Sequence, residues 1–262
     1  MTKTYLALVK MQTFSPISIA VPLTYLSSPV YPLPPQTTLL GALAYPLLRN
    51  SPKELEQSCS PTVKLLDHVV YATAGAEGYT ITRTIERMYN TVYQKSSRWI
   101  EADKAEATPI DRKGEKGGEK LRWGILATGY VTYLNNSLYI LYISKSIDIL
   151  QYVYGITRIG KKEGLVSVEE VLIDEANKYI DASATKAETI FYVPRHLAEC
   201  YPAKVYSMPI LHRDNFCQSI RPQVQEFYVP LEVGKMVCRV LDNATVLRVN
   251  DLEVVIPKTV LR

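Results

Sequence analysis

Between residues 13 and 36 the chain carries six prolines, Pro16, Pro22, Pro29, Pro32, Pro34 and Pro35, and then reads QTTLLGALAYPLL. Proline locks its own φ, donates no amide hydrogen and biases the preceding residue away from helix. This stretch can therefore be neither helix nor central strand, and it reads as an extended, stiff loop. A first strand, Tyr5 to Gln12, precedes it, and a helix has to start where the prolines stop. Thr37 or Thr38 is the expected N-cap, because a hydroxyl there can accept from an orphan amide. Leu39, Leu43 and Leu47 recur every fourth residue and form one core-facing stripe. Gly41, Ala42 and Ala44 make a surface of small side chains, expected to admit another backbone closely. Pro46 should kink the helix or mark its last turn. A second short helix is expected to open at Ser51-Pro52.

Beyond it, Val63 to Ala74 reads as a strand, with His68 as a core or sheet-face histidine within it. Residues 124 to 144, GILATGYVTYLNNSLYILYIS, contain no charge, but Asn-Asn-Ser at the centre argues against a membrane span. They read as a hairpin of Leu126–Leu134 and Leu138–Ser144 with a tight turn at 135–137. A helix over SIDILQYVYGITRIG follows, capped by Ser146, with Ile147, Leu150, Val153 and Tyr154 on one face. Then comes a strand, LVSVEEVLI, whose Glu169, Glu170 and Asp174 read as its solvated face. With the segment at about 78–122 set aside, the order is that of an α+β, ferredoxin-like or RRM-like sheet with two helices on one side. Residues 1–189 are thus expected to form a palm with an inserted arm. Residues 190–262 read as a small β-rich C-terminal subdomain, with strands in TIFYVP, AKVYSMPI, QEFYVPL, MVCRVL, TVLRV and LEVVIP.

Several classes of chemistry find no support. The three histidines, His68, His196 and His212, are scattered, and the cysteines Cys59, Cys200, Cys217 and Cys238 lack zinc-ribbon spacing. No phosphate-cradling glycine loop and no dinucleotide fingerprint is present, so neither a metal nor a cofactor is expected. The N-terminus is too short and too polar for a signal peptide. A cytoplasmic protein with free, buried thiols and no membrane partner is the expectation.

The net charge is only +4, so where the cations sit matters more than their sum. Residues 78–122 hold ten basic and seven acidic residues and little core-forming pattern. In them Arg83, Arg87, Lys95 and Arg98 alternate with Tyr89, Tyr93 and Trp99, and Arg122 with Trp123 stands at the return. Cations at this spacing can pair phosphates, and the rings can stack on bases. An ordinary amphipathic arm would read the same way. TRIGKKEG at 157–164 is a second signal: Gly160 and Gly164 bracket Lys161 and Lys162, just after Arg158. A glycine C-cap with lysines answering the helix dipole is the plainer reading. The third is the opening helix, whose first amides and Thr37 and Thr38 hydroxyls suit an anion.

YPLPPQTTLLGALAYPLL closely resembles the N-terminal signature of the CRISPR-associated family-five (Cas-five) proteins of the RAMP superfamily. GITRIGKKEGLVSVEEV is similar to the glycine loop and strand that close the same domain in archaeal type I-A members. The resemblance spans about residues 1–190, and the arm falls where that family inserts its thumb. It implies a non-catalytic subunit of a Cascade surveillance complex. Such a subunit holds the 5′ handle of the guide RNA, caps the backbone filament, and touches the Cas-seven-type backbone subunit and the large subunit. One branch of the family cleaves precursor RNA with Tyr, Lys and His, a constellation that does not map here. An endonuclease using His68 or His212 as general acid or base, and a purely structural interaction subunit, remain the alternatives.

Overall fold

β1 (Tyr5–Thr13) is buried on both sides. Ala7, Val9 and Met11 enter one hydrophobic core, while Leu6 and Leu8 enter another. That is why the strand reads as a nearly unbroken apolar run rather than an alternation. The structure, a computed structural model, describes residues 3–21, 29–49, 59–87, 126–135, 137–161, 163–217, 222–232 and 234–261. The second short helix expected at Ser51-Pro52 lies outside these residues.

Around β1 the chain builds a four-stranded antiparallel sheet. Its members are β2 (Val69–Ala76), β5 (Ser137–Ser144) and β6 (Val166–Glu175), in the order β2-β5-β1-β6. Helix α1 (Gln36–Arg49) links β1 to β2. A single turn of helix, α2 (Ile147–Leu150), and a 3-10 turn at Gln151–Gly155 link β5 to β6. α1 lays Leu39, Leu40 and Leu43 on the first face of the sheet, and the Tyr142 hydroxyl donates to the Leu39 carbonyl at 2.8 Å. Each such leucine contributes about 1.5–3 kcal/mol by leaving water.

The second face is covered from the C-terminal part. β14 (Ala244–Val249) and β15 (Leu252–Pro257) supply Leu247, Val249, Val254 and Ile256 against Leu6, Leu8, Leu141 and Ile143. β7 (Ile180–Asp181) pairs with β14. β8 (Lys186–Thr189), β10 (Ala198–Tyr201) and β13 (Met236–Val240) form one three-stranded sheet. β9 (Val193–Pro194), β11 (Ala203–Pro209) and β12 (Val224–Pro230) form another. The run expected as one strand in TIFYVP is broken, because Phe191 leaves β8 to bridge Gly75 at the edge of β2. A side chain at position 75 would stand 2.9 Å from the Ile190 backbone, so only glycine lets the two segments meet.

The uncharged stretch at 124–144 gives two strands, as expected, but they do not pair with each other. β4 (Leu126–Leu134) pairs with β3 (Tyr79–Arg87), and β5 pairs with β1 and β2. β3 continues β2, and β4 leads into β5. The antiparallel pair β2/β5 thus runs outward as the ribbon β3/β4, from Ala76↔Leu138 to Arg87↔Leu126. At the junction the register shifts by one residue between Ala76↔Leu138 and Tyr79↔Leu134. This irregularity has a packing reason. Ala72, Ala74 and Ala76 face the first core, and so do Tyr79 and Ile81, although the step from 76 to 79 is odd. A strand of strict period two would turn Tyr79 outward. The junction is held by the C-terminal part, since Tyr79 donates its amide to the Glu232 carbonyl (3.1 Å) and its hydroxyl to the Pro230 carbonyl (3.0 Å).

Three further expectations need correction. Residues 61–67 form a 3-10 helix started by Ser60 and Pro61, not a strand, so His68 sits exposed in the bend before β2. The expected helix at 146–160 ends at Gly155, with Leu150 and Val153 buried but Tyr154 64% exposed. The four cysteines are not free: Cys59 is bonded to Cys217 and Cys200 to Cys238. Cys200 and Cys238 are direct cross-strand partners in β10 and β13, and Cys59 and Cys217 face one another in an isolated bridge. Both pairs therefore have their Cα atoms at cross-strand distance, a proximity that sequence spacing does not reveal. The expectation of a reduced compartment loses its cysteine basis. No helix among the described residues is long and apolar enough to cross a membrane.

Cys200 and Cys238 close a loop with a sequence separation of 38 residues. Replacing both by Ser is expected to lower stability by about 4 kcal/mol on chain-entropy grounds. A urea titration of the variant beside the oxidised parent checks this.

Candidate nucleic-acid interface

The proline-rich loop leaves β1 and runs beside the turn at 159–164. The Phe14 amide donates to the Leu165 carbonyl (3.1 Å), and the Leu165 amide donates to the Ser15 hydroxyl (3.0 Å). That turn is the tip of a small hairpin. Arg158 bridges Leu165, and the Val166 amide donates to the Thr157 carbonyl at 3.0 Å. Gly160 takes φ +76° at the tip, which any other residue adopts only with strain. Lys161 therefore stands on a hairpin and not behind a helix C-cap, so the dipole explanation fails for it.

Helix α1 faces this hairpin. Its first intrahelical bond runs from the Leu39 amide to the Pro35 carbonyl (3.1 Å), so the helix begins at Gln36 with Pro35 in the capping position. Thr37 and Thr38 consequently lie inside the first turn and do not cap it. The last proline ends its own loop by offering a carbonyl, which needs no amide hydrogen. Gln36 is buried, and its side-chain oxygen accepts from the Leu211 amide at 3.3 Å. Pro46 lies within the helix, which continues to Arg49.

Between α1 and the hairpin lies a groove of about 590 Å³. Thr38, Gly41 and Tyr45 line it from the helix, Arg158 and Lys161 from the hairpin, and Ser18 from the loop. The Arg158 guanidinium sits over the Tyr45 ring, 4.3 Å from its centroid. Two cations, Arg158 and Lys161, thus meet among its described lining residues. Ser18 also ties the groove to the ribbon. Its hydroxyl donates to the Tyr130 carbonyl (3.3 Å), and Ile17 and Thr132 exchange amide–carbonyl bonds of 2.8 Å. Position 83 stands opposite Tyr130 in the β3–β4 register, while position 87 lies at the far end opposite Leu126.

The structure thus brings Thr38, Arg158 and Lys161 together, although they come from two separate stretches of sequence. Thr37 is half-buried in the same turn without lining the groove. Arg83 and Arg87 belong to β3. Lys95, Arg98, Trp99, Arg122 and Lys162 lie outside the described residues. Tyr45 and Ser18 escaped the sequence reading. Tyr45 looked like one more apolar helix residue, and its partner Arg158 is remote in the chain. His68, His196 and His212 are not near one another in any described contact; His196 touches Gln225, and His212 lies 3.5 Å from Asp214. Burial lowers the pKa of His196. Among the described residues no group of three or more His, Cys, Asp or Glu could hold a metal ion.

The Arg158–Tyr45 contact is partly exposed, so its coupling should be modest. A double-mutant cycle with Tyr45→Ala and Arg158→Ala is expected to give about 0.5–1 kcal/mol from urea unfolding.

No protein-family model matches the chain. Two proteins of Saccharolobus solfataricus are similar to it. The CRISPR system aCascade subunit Cas5 1 is 30% identical over 166 residues, 62% of this chain and 62% of that protein. The CRISPR-associated protein Cas5 3 is 31% identical over 151 residues, 56% of this chain and 55% of its own length. The matched portions therefore span less than two thirds of these relatives. Among solved structures, a crystal structure of a CRISPR protein from Archaeoglobus fulgidus superposes with a TM-score of 0.55 at 13% identity. It covers 97% of this chain and 99% of that one, a likeness of fold alone.

Proposed function

Because the chain is a homologue of Cas5 proteins, we propose that it is a non-catalytic subunit of a type I CRISPR Cascade complex that holds the 5′ handle of the guide RNA and caps the backbone filament. The sheet order β2-β5-β1-β6, reached by β-α-β-β-α-β connections, supports an RRM-like palm. The β3–β4 ribbon is then the base of a thumb that the basic arm completes. The backbone Cas-seven-type subunit and the large subunit are the protein partners in this reading, and no metal or cofactor takes part.

One observation carries the reading. A groove lined by two cations, Arg158 and Lys161, opens between α1 and the 158–165 hairpin, and hydrogen bonds through Ile17 and Ser18 join it to the base of the ribbon. Both faces of the sheet are already packed, so bases cannot stack across it as on an open platform. A single strand is instead gripped along its phosphates, from the groove past Ser18 to the arm.

Two outcomes test this. The purified chain with its backbone subunit is expected to retain handle-bearing RNA at moderate salt. Changing Arg83, Arg87 and Arg98 together to Ala should weaken retention and flatten the log–log salt slope by about 2, since each phosphate contact on a single strand contributes about 0.7. An unchanged slope removes the arm from the interface. Incubation with precursor repeat RNA should leave the RNA intact; site-specific cuts lost on His68→Ala or His212→Ala would make the chain an endonuclease.

A further inference from the structure

Gly41 is the one glycine of α1, and its place in the helix has a cost, since glycine loses about 1 kcal/mol of helix stability relative to alanine. The sequence alone explains such a residue by close packing: a bare Cα lets a neighbouring backbone approach. The geometry excludes that explanation. Among the described residues a Cβ built on Gly41 meets no atom within 4 Å, whereas one built on Gly75 or Gly160 meets another segment within 3 Å. Nor is the conformation special, for Gly41 lies within regular α-helix and not at positive φ. The described residues therefore make no demand for glycine here. The missing side chain opens onto the groove, beside Thr38 and Tyr45 and across from Arg158 and Lys161.

We propose that Gly41 is a ligand-facing position: its bare Cα is where the sugar-phosphate backbone of a single RNA strand lies against α1, with Arg158 and Lys161 on the strand's other side. This rests on the RNA-binding reading above and adds to it the surface that the strand touches. The chemistry fits a phosphodiester. The site offers two cations and the Thr38 hydroxyl, and has a low wall on the helix side, where any side chain would hold the strand away from the cations. A ligand recognised only by its charge would tolerate a methyl group on that wall. A backbone seated on the helix would not.

The test uses the full chain and a fluorescein-labelled single-stranded RNA of its repeat-derived 5′ handle. Gly41→Ala and Gly41→Leu are compared with the parent by fluorescence anisotropy and by thermal melting. The expected result is a melting midpoint equal to or above the parent's for both variants, since alanine and leucine favour helix and meet open space. RNA affinity should fall by about threefold to tenfold for Gly41→Ala and by more than thirtyfold for Gly41→Leu. Tight RNA binding by Gly41→Leu, in a protein where Arg158→Ala with Lys161→Ala weakens it, would overturn the proposal and leave the RNA-binding reading intact. Loss of affinity together with a lowered melting midpoint would also overturn it, because glycine would then serve the fold. No binding of the handle RNA by the parent itself would remove both.

Discussion

The antiparallel pairing of β2 with β5 is the interaction on which the remainder depends. It closes one side of the sheet and fixes β5 beside β1. Continued past a one-residue irregularity, it becomes the ribbon that leaves the palm. Ala76↔Leu138 ends one ladder and Tyr79↔Leu134 begins the next after a short register shift, so the ribbon follows the sheet directly and not through a long linker. Backbone bonds set its direction, and Tyr79 locks it with two bonds to the Pro230–Glu232 loop. The C-terminal strands therefore do two things. They cover the second face of the sheet, and they brace the point where the ribbon departs.

Covering both faces has a functional consequence. A sheet with one open face can take bases directly, but here Leu247, Val249, Val254 and Ile256 occupy that side. In the proposed reading, recognition falls at the edge of the sheet, where the proline-rich loop, α1 and the 158–165 hairpin meet. The stiffness of that loop now has a use. Its residues bond on one side to the hairpin through Phe14 and Ser15 and on the other to β4 through Ile17 and Ser18. A floppy segment could not hold two walls of a groove and the root of a ribbon in register.

Much of this was legible in the sequence, and the failures have physical causes. β1, β6, the start of α1 just after the prolines and most C-terminal strands follow from apolar pattern and proline chemistry, which act locally. Thr38, Arg158 and Lys161 were named from local motifs, but their convergence depends on tertiary placement. The 124–144 stretch shows the limit most clearly. Its two strands were readable, yet Asn135 and Ser137 resembled a turn because a bulge and a turn draw on the same small polar residues. The partner of β4 lies in β3, where the pattern was masked by charge. Pairing is a long-range property, and so are the Cys200–Cys238 and Cys59–Cys217 bonds. Of the strand expected over Val63–Ala74, residues 63–67 are instead 3-10 helix, because a short apolar run does not declare its own period.

The ribbon ends in register, with Arg87 directly across from Leu126. Whatever sequence joins those two residues begins and ends at fixed neighbouring points, so the entropy of closing that excursion grows only slowly with its length. The palm is thus a socket. Chains of different size and charge can be exchanged between positions 87 and 126 without retuning the core beneath, which lets that stretch of sequence evolve independently of the body that carries it.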